Sequence, residues 1–449
     1  YSTGPNQMTQ QAAALSKLGL PKKSLSLRSR TALASNPILE VGDELEFKVR
    51  NSRTDPDSFA QHTSAILRAQ TSTLHPNAAD NHLNIFVDRD VPYCSPAPCG
   101  NADTLTDTQL ENIINVFEDN IYPLETTLVG TPSDIDGDGK VWVVITPILN
   151  RDLITTAYFD SRNLLPFDPI ANAGSNEAEV MFVYAPDSLG NFRPAEADES
   201  QPWFSMDAAN YVSKALNAWI AFNLEKIISF NEHVFISEGN AEDDWIDDGI
   251  GTVMADLAGF NIWRPSVWNF LSRPQLSDLR AGDDFDCPMS NGPEYLFMLY
   301  YMQSQVSATF VDADGDDIHD GLQIFNTLMT SGLTGTDNLE AAVTFDFDST
   351  VETEFQAIFK DWTLAIATSG SFWSNLLGLG QPSLEQSNAT ALKYFFDLNP
   401  TIYGTGIGDA LGSTRTGAAG VPPDLDADPN AVGLDLNGYH TEEAVLIEN

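Results

Sequence analysis

The order and periodicity of apolar residues predict an α+β fold for this chain of 449 residues. Strand patterns come first. Leu45, Phe47 and Val49 alternate with Val41 in phase, and 83–88, 141–145 and 180–184 are short apolar runs suited to crossing a core. Helix patterns follow. Leu216, Trp219, Ile220, Leu224, Ile227 and Ile228 recur at helical spacing, and after a polar loop Ile246, Ile250, Val253, Met254 and Leu257 do so again. Two amphipathic helices facing one core are expected between residues 211 and 260.

From the N-terminus the chain divides into four regions. Residues 1–36 hold Lys17, Lys22, Lys23, Arg28 and Arg30 and no acidic residue, although the whole chain has 22 basic and 64 acidic residues, a formal −42. The body therefore sets 17 basic residues against all 64 acidic ones, a formal −47. Such opposite polarity suits an electrostatic contact between this arm and its own body or a neighbouring subunit, and the alternation over 24–30 suits strand addition. A solvated or self-docked N-terminus is the alternative. Residues 37–76 read as a small antiparallel β module and 77–400 as the main domain. Residues 401–449 read as an extension rich in Gly, Asp and Ala that lacks core periodicity.

Within the main domain, 104–121 reads as a helix with Thr106 as N-cap and Gln109 completing a capping box; Tyr122-Pro123 is expected to end it. Next comes an acidic loop. Asp134, Asp136 and Asp138 occupy loop positions one, three and five with Gly139 at six, an oxygen array that calcium favours. Asp134, Asp136, Asp138 and Lys140 are thus a candidate calcium site, with a plain Asp-Gly turn entering a strand as the alternative. The distal glutamate of a full EF-hand is missing, since position twelve is Ile145. Asp312, Asp314, Asp316 and Asp320 form a second candidate cation loop whose sixth position is Asp317 instead of Gly. Further helices are expected at 294–301 and at about 320–331, 337–343 and 352–367.

No run of about 18 apolar residues occurs, so no membrane span is expected. The acidic balance would repel nucleic-acid phosphates and anionic membranes and suits cations, or simply the solvated surface of a secreted or salt-adapted protein. Of three cysteines, Cys94 and Cys99 enclose Ser-Pro-Ala-Pro and are expected to form a local disulfide, leaving Cys287 buried and inert. The start at Tyr1 reads as a processed, secreted chain. No phosphate-binding glycine loop, dinucleotide fingerprint or G-x-S-x-G elbow is present.

One segment is more specific. Ile227-Ile228-Ser229-Phe230-Asn231, followed after a loop by Trp245-Ile246-Asp247-Asp248-Gly249-Ile250-Gly251, resembles the core of the hyicolysin-like neutral metallopeptidases. In that family the first helix carries H-E-F-Q-H and the second motif reads W-L-N-E-G-L-S. Histidines four apart share a helical face and bind zinc, with the intervening glutamate as general base. The D-x-D-G-x-G-K loop before a strand, Asn176-Glu177 and the strand at 180–184 are also similar, over roughly residues 37–400 in all. The resemblance implies that the strand at 180–184 is an edge strand able to bind peptide backbone.

In this register Phe222 stands at the first histidine, Asn223 at the general base, Lys226 at the second histidine and Asp248 at the third-ligand glutamate. Phenylalanine cannot ligate, asparagine cannot take a proton at neutral pH, and lysine brings positive charge to where the metal was. Lys226 is expected to pair with Asp248 or Asp247. Glu225 lies about 160° round the helix from the general-base position, and His233 has no histidine four residues away.

Residues and resemblance together lead to a zincin-like α+β peptidase domain with a small N-terminal β module and extended arms. It is expected to be catalytically inactive, without zinc, and extracellular or at the cell surface. Its role would be structural or binding, as a calcium-stabilised surface or filament subunit joined to itself or another extracellular protein through its arm. The alternatives are an active secreted metalloendopeptidase with non-standard ligands and a soluble protein holding peptides in the vestigial cleft.

Overall fold

A computed structural model describes residues 39–50, 61–71, 81–95, 100–151, 153–194, 205–260, 270, 279, 292–304, 323–342 and 354–368. The basic arm, the second acidic loop with Asp312, Asp314, Asp316 and Asp320, Cys99, Cys287 and the C-terminal extension lie outside these residues.

Three consecutive apolar runs make the centre of the sheet. β3 (Leu83–Asp88), β6 (Val141–Ile145) and β8 (Val180–Val183) are parallel neighbours and buried along their whole length. Both faces of such strands are covered, which explains why they read as unbroken apolar runs and do not alternate. β1 (Glu44–Val49) and β2 (Gln61–Gln70) do alternate: Phe47 and Val49 are buried while Glu44 and Glu46 are exposed. β7 (Ala157–Phe159) closes the other side, giving the order β1-β2-β3-β6-β8-β7. A separate pair joins β4 (Tyr93–Cys94) to β5 (Leu105–Thr106).

Two expectations change here. β2 pairs antiparallel with β3, so the β1–β2 pair expected as a module over 37–76 is the outer edge of the main sheet. β8 pairs with β6 on one side and with β7 on the other, so the strand expected at an edge is internal and β7 takes the edge. Neither change is visible locally, because neighbour choice in a sheet depends on distant segments.

α1 (Asp107–Val116) starts at Thr106, whose hydroxyl accepts from the Gln109 amide while the Gln109 side chain accepts from the Thr106 amide. The helix does not stop at Tyr122-Pro123. A π turn (Phe117–Ile121) passes the chain into α2 (Tyr122–Leu128), where Pro123 occupies a first-turn position whose missing N–H costs nothing.

α3 (Asn217–Phe230) is buried on every side, between β7 and β8 and α4 (Asp244–Leu257). Ile220, Leu224, Ile227 and Ile228 are fully inaccessible, and burying each such side chain contributes about 1.5–3 kcal/mol. α4 also packs on α5 (Gly292–Ser304), and the contact is close: a Cβ on Gly249 would come within 2.3 Å of Met298 Cγ and 3.0 Å of the Glu294 carbonyl oxygen. Trp245 of α4 meets Phe297 of α5 at 5.5 Å between ring centres, and Phe297 meets Trp362 of α8 (Glu354–Thr368) at the same distance. α6 (Gln323–Thr330) and α7 (Gly335–Ala342) complete the helical half. No described helix is long and apolar enough to cross a membrane.

Candidate functional site

Two clusters of buried carboxylates face different parts of this framework. The first lies between α3 and α4. Lys226 Nζ donates to Asp248 Oδ1 and lies 3.6 Å from Asp247 Oδ2. One turn back on α3, the Phe222 ring centre is 4.9 Å from the same nitrogen, a cation–π distance. The second helix supplies both acids because Asp247 and Asp248 fall in the first turns of α4, where carboxylates also complement the helix dipole. All of these side chains are buried or nearly so.

Burial pushes the Asp248 carboxyl up to about 6 even though Lys226 pulls it down, and it raises Asp247 in the same way. Asn223 is inaccessible and turns its amide back onto its own helix, donating to the Trp219 carbonyl at 2.8 Å. Glu225 also lies inside. It is 0% exposed, its carboxyl sits beside Gly251 of α4, and burial first, then the charge of Asp247, pushes it well above the usual carboxylate range. His233 is buried in the π turn after α3, 3.8 Å from Glu242, with no hydrogen bond on either ring nitrogen. Burial lowers it to about 4 and raises Glu242 to about 7, so the pair is a contact of largely uncharged groups at pH 6 and not an ion pair.

The second cluster is the acidic loop that leads into β6. Asp134, Asp136 and Asp138 each offer an oxygen within 4.8 Å of the others, the one such grouping of metal-type side chains among the described residues. Main-chain amides hold them there: Gly139 donates to Asp134 (2.9 Å), Asp138 to Asp136 (3.2 Å) and Lys140 to Asp138 (2.7 Å). Trp142 Nε1 donates to Asp138 at 2.8 Å. Gly137 and Gly139 take positive φ, 79° and 70°, which permits the tight turn. Lys140 joins the loop through its main chain, and its ammonium lies 3.5 Å from Asn84 Oδ1.

Below the loop sits an acid that the sequence did not single out. Glu179, 0% exposed, accepts from Ser133 Oγ (2.6 Å) and from the Ile135 amide (2.9 Å). Burial pushes it up to about 7, and burial followed by the charges of Asp138 and Glu179 raises Asp136. Cys94 is disulfide-bonded; its expected partner Cys99 lies outside the described residues.

The two clusters are mechanically connected. Glu232, after α3, accepts from the Thr131 amide at 3.1 Å, and Asn231 donates to the Thr131 carbonyl at 2.8 Å. Gly130 beside them has φ 135°, and a Cβ there would come within 2.5 Å of the Glu232 carboxylate.

With this geometry in view, the comparison with known proteins points one way. The chain is similar to a peptidase. The match is to Neutral metalloprotease ShpI of Staphylococcus hyicus, 23% identical over 231 residues, which is 51% of this chain and 43% of that protein. The chain thus spans less than half the length of that relative. No protein-family model matches. The similarity supports a distant metallopeptidase relationship, and the mixed helix-and-sheet architecture is compatible with one.

Of the residues singled out in the sequence, the structure brings Phe222, Lys226 and Asp248 together, with Asn223 on the same helix as the first two. It also brings together Asp134, Asp136 and Asp138. The partnership of Glu179 with the loop and the burial of Glu225 were missed. Each acid is flanked on one side by an apolar run, Val180–Val183 after Glu179 and Leu224 before Glu225, a weak local hint.

Proposed function

We propose that this chain is a zincin-like metallopeptidase scaffold without peptidase activity, retained for a structural or binding role outside the cell. The observation that carries the reading is Lys226. Its ammonium lies beside Asp248 and over Phe222, and in the register of the family that the sequence resembles these three positions would carry the ligands of a zinc ion. Zinc does not fit this donor set: a phenyl ring and an ammonium have no lone pair to give, and the fixed positive charge repels a cation. Asn223, with its amide engaged by Trp219, has no proton-accepting role to offer a water.

In this reading Lys226 replaces the metal as internal counter-ion for Asp247 and Asp248. That accounts for two helices that keep the packing of an active site while lacking its chemistry. The calcium loop stabilises the scaffold, and the basic arm at 1–36 joins it to an acidic body of a neighbouring copy or another extracellular protein. These two parts rest on the loop geometry and on the charge division along the sequence.

Elemental analysis of the purified full chain, together with a casein-cleavage assay, tests the central claim. No stoichiometric zinc and no chelator-sensitive cleavage are expected; finding both would establish an active peptidase with other ligands. Sedimentation over a range of concentrations tests assembly. Association lost on deleting 1–36 supports the arm's role, and a monomer throughout removes it.

A further inference from the structure

We propose that the outer edge of β1, over Glu44 to Glu46, is where the basic arm of a second copy adds as a strand through residues 24–30. This deepens the arm's role in the reading above and rests on it, and it is independent of the Lys226 pair and of the calcium loop.

β1 ends the sheet, with β2 on one side only. Which of its main-chain groups face outward follows from two sets of contacts. Asp43 accepts from the Leu67 amide of β2 at 2.8 Å, whereas Lys48 donates its amide to Asn176 Oδ1 (2.9 Å) and accepts from Asn176 Nδ2 (3.1 Å), away from β2. Main-chain groups alternate in direction along an antiparallel pair, so those of Glu44 and Glu46 point outward with those of Lys48. Asn176 closes the edge at Lys48, and beyond it the Tyr158 hydroxyl accepts from the Arg50 amide at 2.9 Å. Among the described residues nothing pairs with the outward groups of Glu44 and Glu46.

The strand also has two unlike faces. Phe47 and Val49 are buried and Leu45 packs against the same core, while Glu44 and Glu46 are exposed on the other face. Glu44 already meets Arg89 and Ser64, whereas no ion pair engages Glu46 among the described residues. Lys48, the one cation of the strand, is turned aside: its ammonium donates to the Ser175 carbonyl at 2.7 Å and lies 3.7 Å from the Phe167 ring centre. The open stretch is therefore acidic outside and apolar inside. Exposed strand edges invite further pairing, and charge is a usual guard against it. Here acids opposite acids disfavour the pairing of two β1 edges with each other and leave the edge selective for a basic strand.

Residues 24–30 have the matching pattern. Extended, they carry Leu25 and Leu27 on one side and Arg28 and Arg30 on the other, with Ser24 and Ser26. Laid beside β1 with the leucines continuing the face of Leu45 and Phe47, this segment sets its arginines beside Glu44 and Glu46. A slip of one residue would put the leucines among the acids, so only registers two residues apart fit. Main-chain hydrogen bonds would supply the attraction and the alternate side chains the choice of partner, as in other strand additions.

Sedimentation of the full chain at low salt, over a range of concentrations, tests this, with thermal melting as the check on folding. Glu46→Pro removes an outward N–H and leaves the bonds to β2 in place, a substitution that an edge strand tolerates, and it should abolish association. Glu46→Arg, and Arg28→Glu together with Arg30→Glu, should each weaken association by roughly tenfold or more. Mixing those two variants should restore it, because each copy's arm then suits the other's edge. Added salt should weaken the wild-type association.

Association kept in Glu46→Pro and Glu46→Arg but lost on deleting 1–36 would overturn the β1 edge and leave the arm's role standing. Failure of the mixture to restore association would overturn the pairing of these arginines with a second copy's β1, and an arm that covers its own edge gives that result. A wild type that is monomeric at every concentration would remove the arm's role and this proposal with it.

Discussion

The α3–α4 cluster and the β6 loop are both buried concentrations of acid, and they differ in where the balancing charge comes from. Between the helices a lysine side chain is built in, so Asp248 has its counter-charge within the fold. In the loop, carboxylates are held by amides and by Trp142. Burial alike raises carboxylates in both places, but between the helices an ammonium stands against them, whereas in the loop the stabilising contacts are amides and an indole N–H. Glu232 and Asn231 tie the end of α3 to Thr131, ahead of the loop, through two hydrogen bonds.

The largest expected effect comes from removing the built-in cation. Lys226→Met leaves Asp247 and Asp248 buried with their partner gone, and breaking a buried pair this way costs about 3–5 kcal/mol. Urea unfolding should show that loss, and Lys226→Met with Asp248→Leu should recover a substantial part of it. If the single variant unfolds like the wild type, the helix cluster does not rest on this pair.

Next in size is the response to calcium. A ligand that binds only the folded chain stabilises it by about 2.7 kcal/mol at a hundredfold excess over its dissociation constant. Melting temperature should therefore rise with Ca²⁺ and fall back on chelation, in the wild type and in Lys226→Met alike. A rise that depends on Lys226 would join the two clusters in a way the comparison denies.

The smallest effect is in pH. Glu242, which accepts from the Gly335 amide and Asn338 Nδ2 at 2.6 Å each, has its carboxyl raised from 4.5 to about 7 by burial. The folded chain then binds more protons than the unfolded chain, so this stability is complete below about 4.5 and is lost as pH rises through 7. His233, lowered to about 4, acts in the opposite sense, and only where the unfolded histidine charges, below about 6.5. Between pH 8 and 6.5 the metal-free chain should gain stability on acidification, under about 1 kcal/mol of it from Glu242 and the rest from Glu179, which burial also raises to about 7, so Glu242→Gln should reduce that rise without abolishing it. Constant stability across this window in the wild type would mean that Glu242 does not titrate there.

Much of the framework was legible because its signals are local. The capping box at Thr106 and Gln109 depends on three-residue spacing, and the pairing of Lys226 with Asp248 follows once both motif halves are in register. What stayed hidden depended on distant neighbours. Tyr122-Pro123 reads as a stop, yet a π turn lets the proline begin a new helix. The run 180–184 reads as a strand, but nothing in it says whether one or both of its edges are paired.

The sequence alone determined the succession of strands and helices, the placing of Phe222, Asn223 and Lys226 on one helix, and three aspartates on one tight turn. Only the tertiary structure decided that Glu179 lies beneath that turn, that Glu225 is sealed against α4, and that β7 forms the sheet edge. The reason is physical. Periodicity and side-chain chemistry act over a few residues, while burial and strand register are set by contacts between segments tens of residues apart.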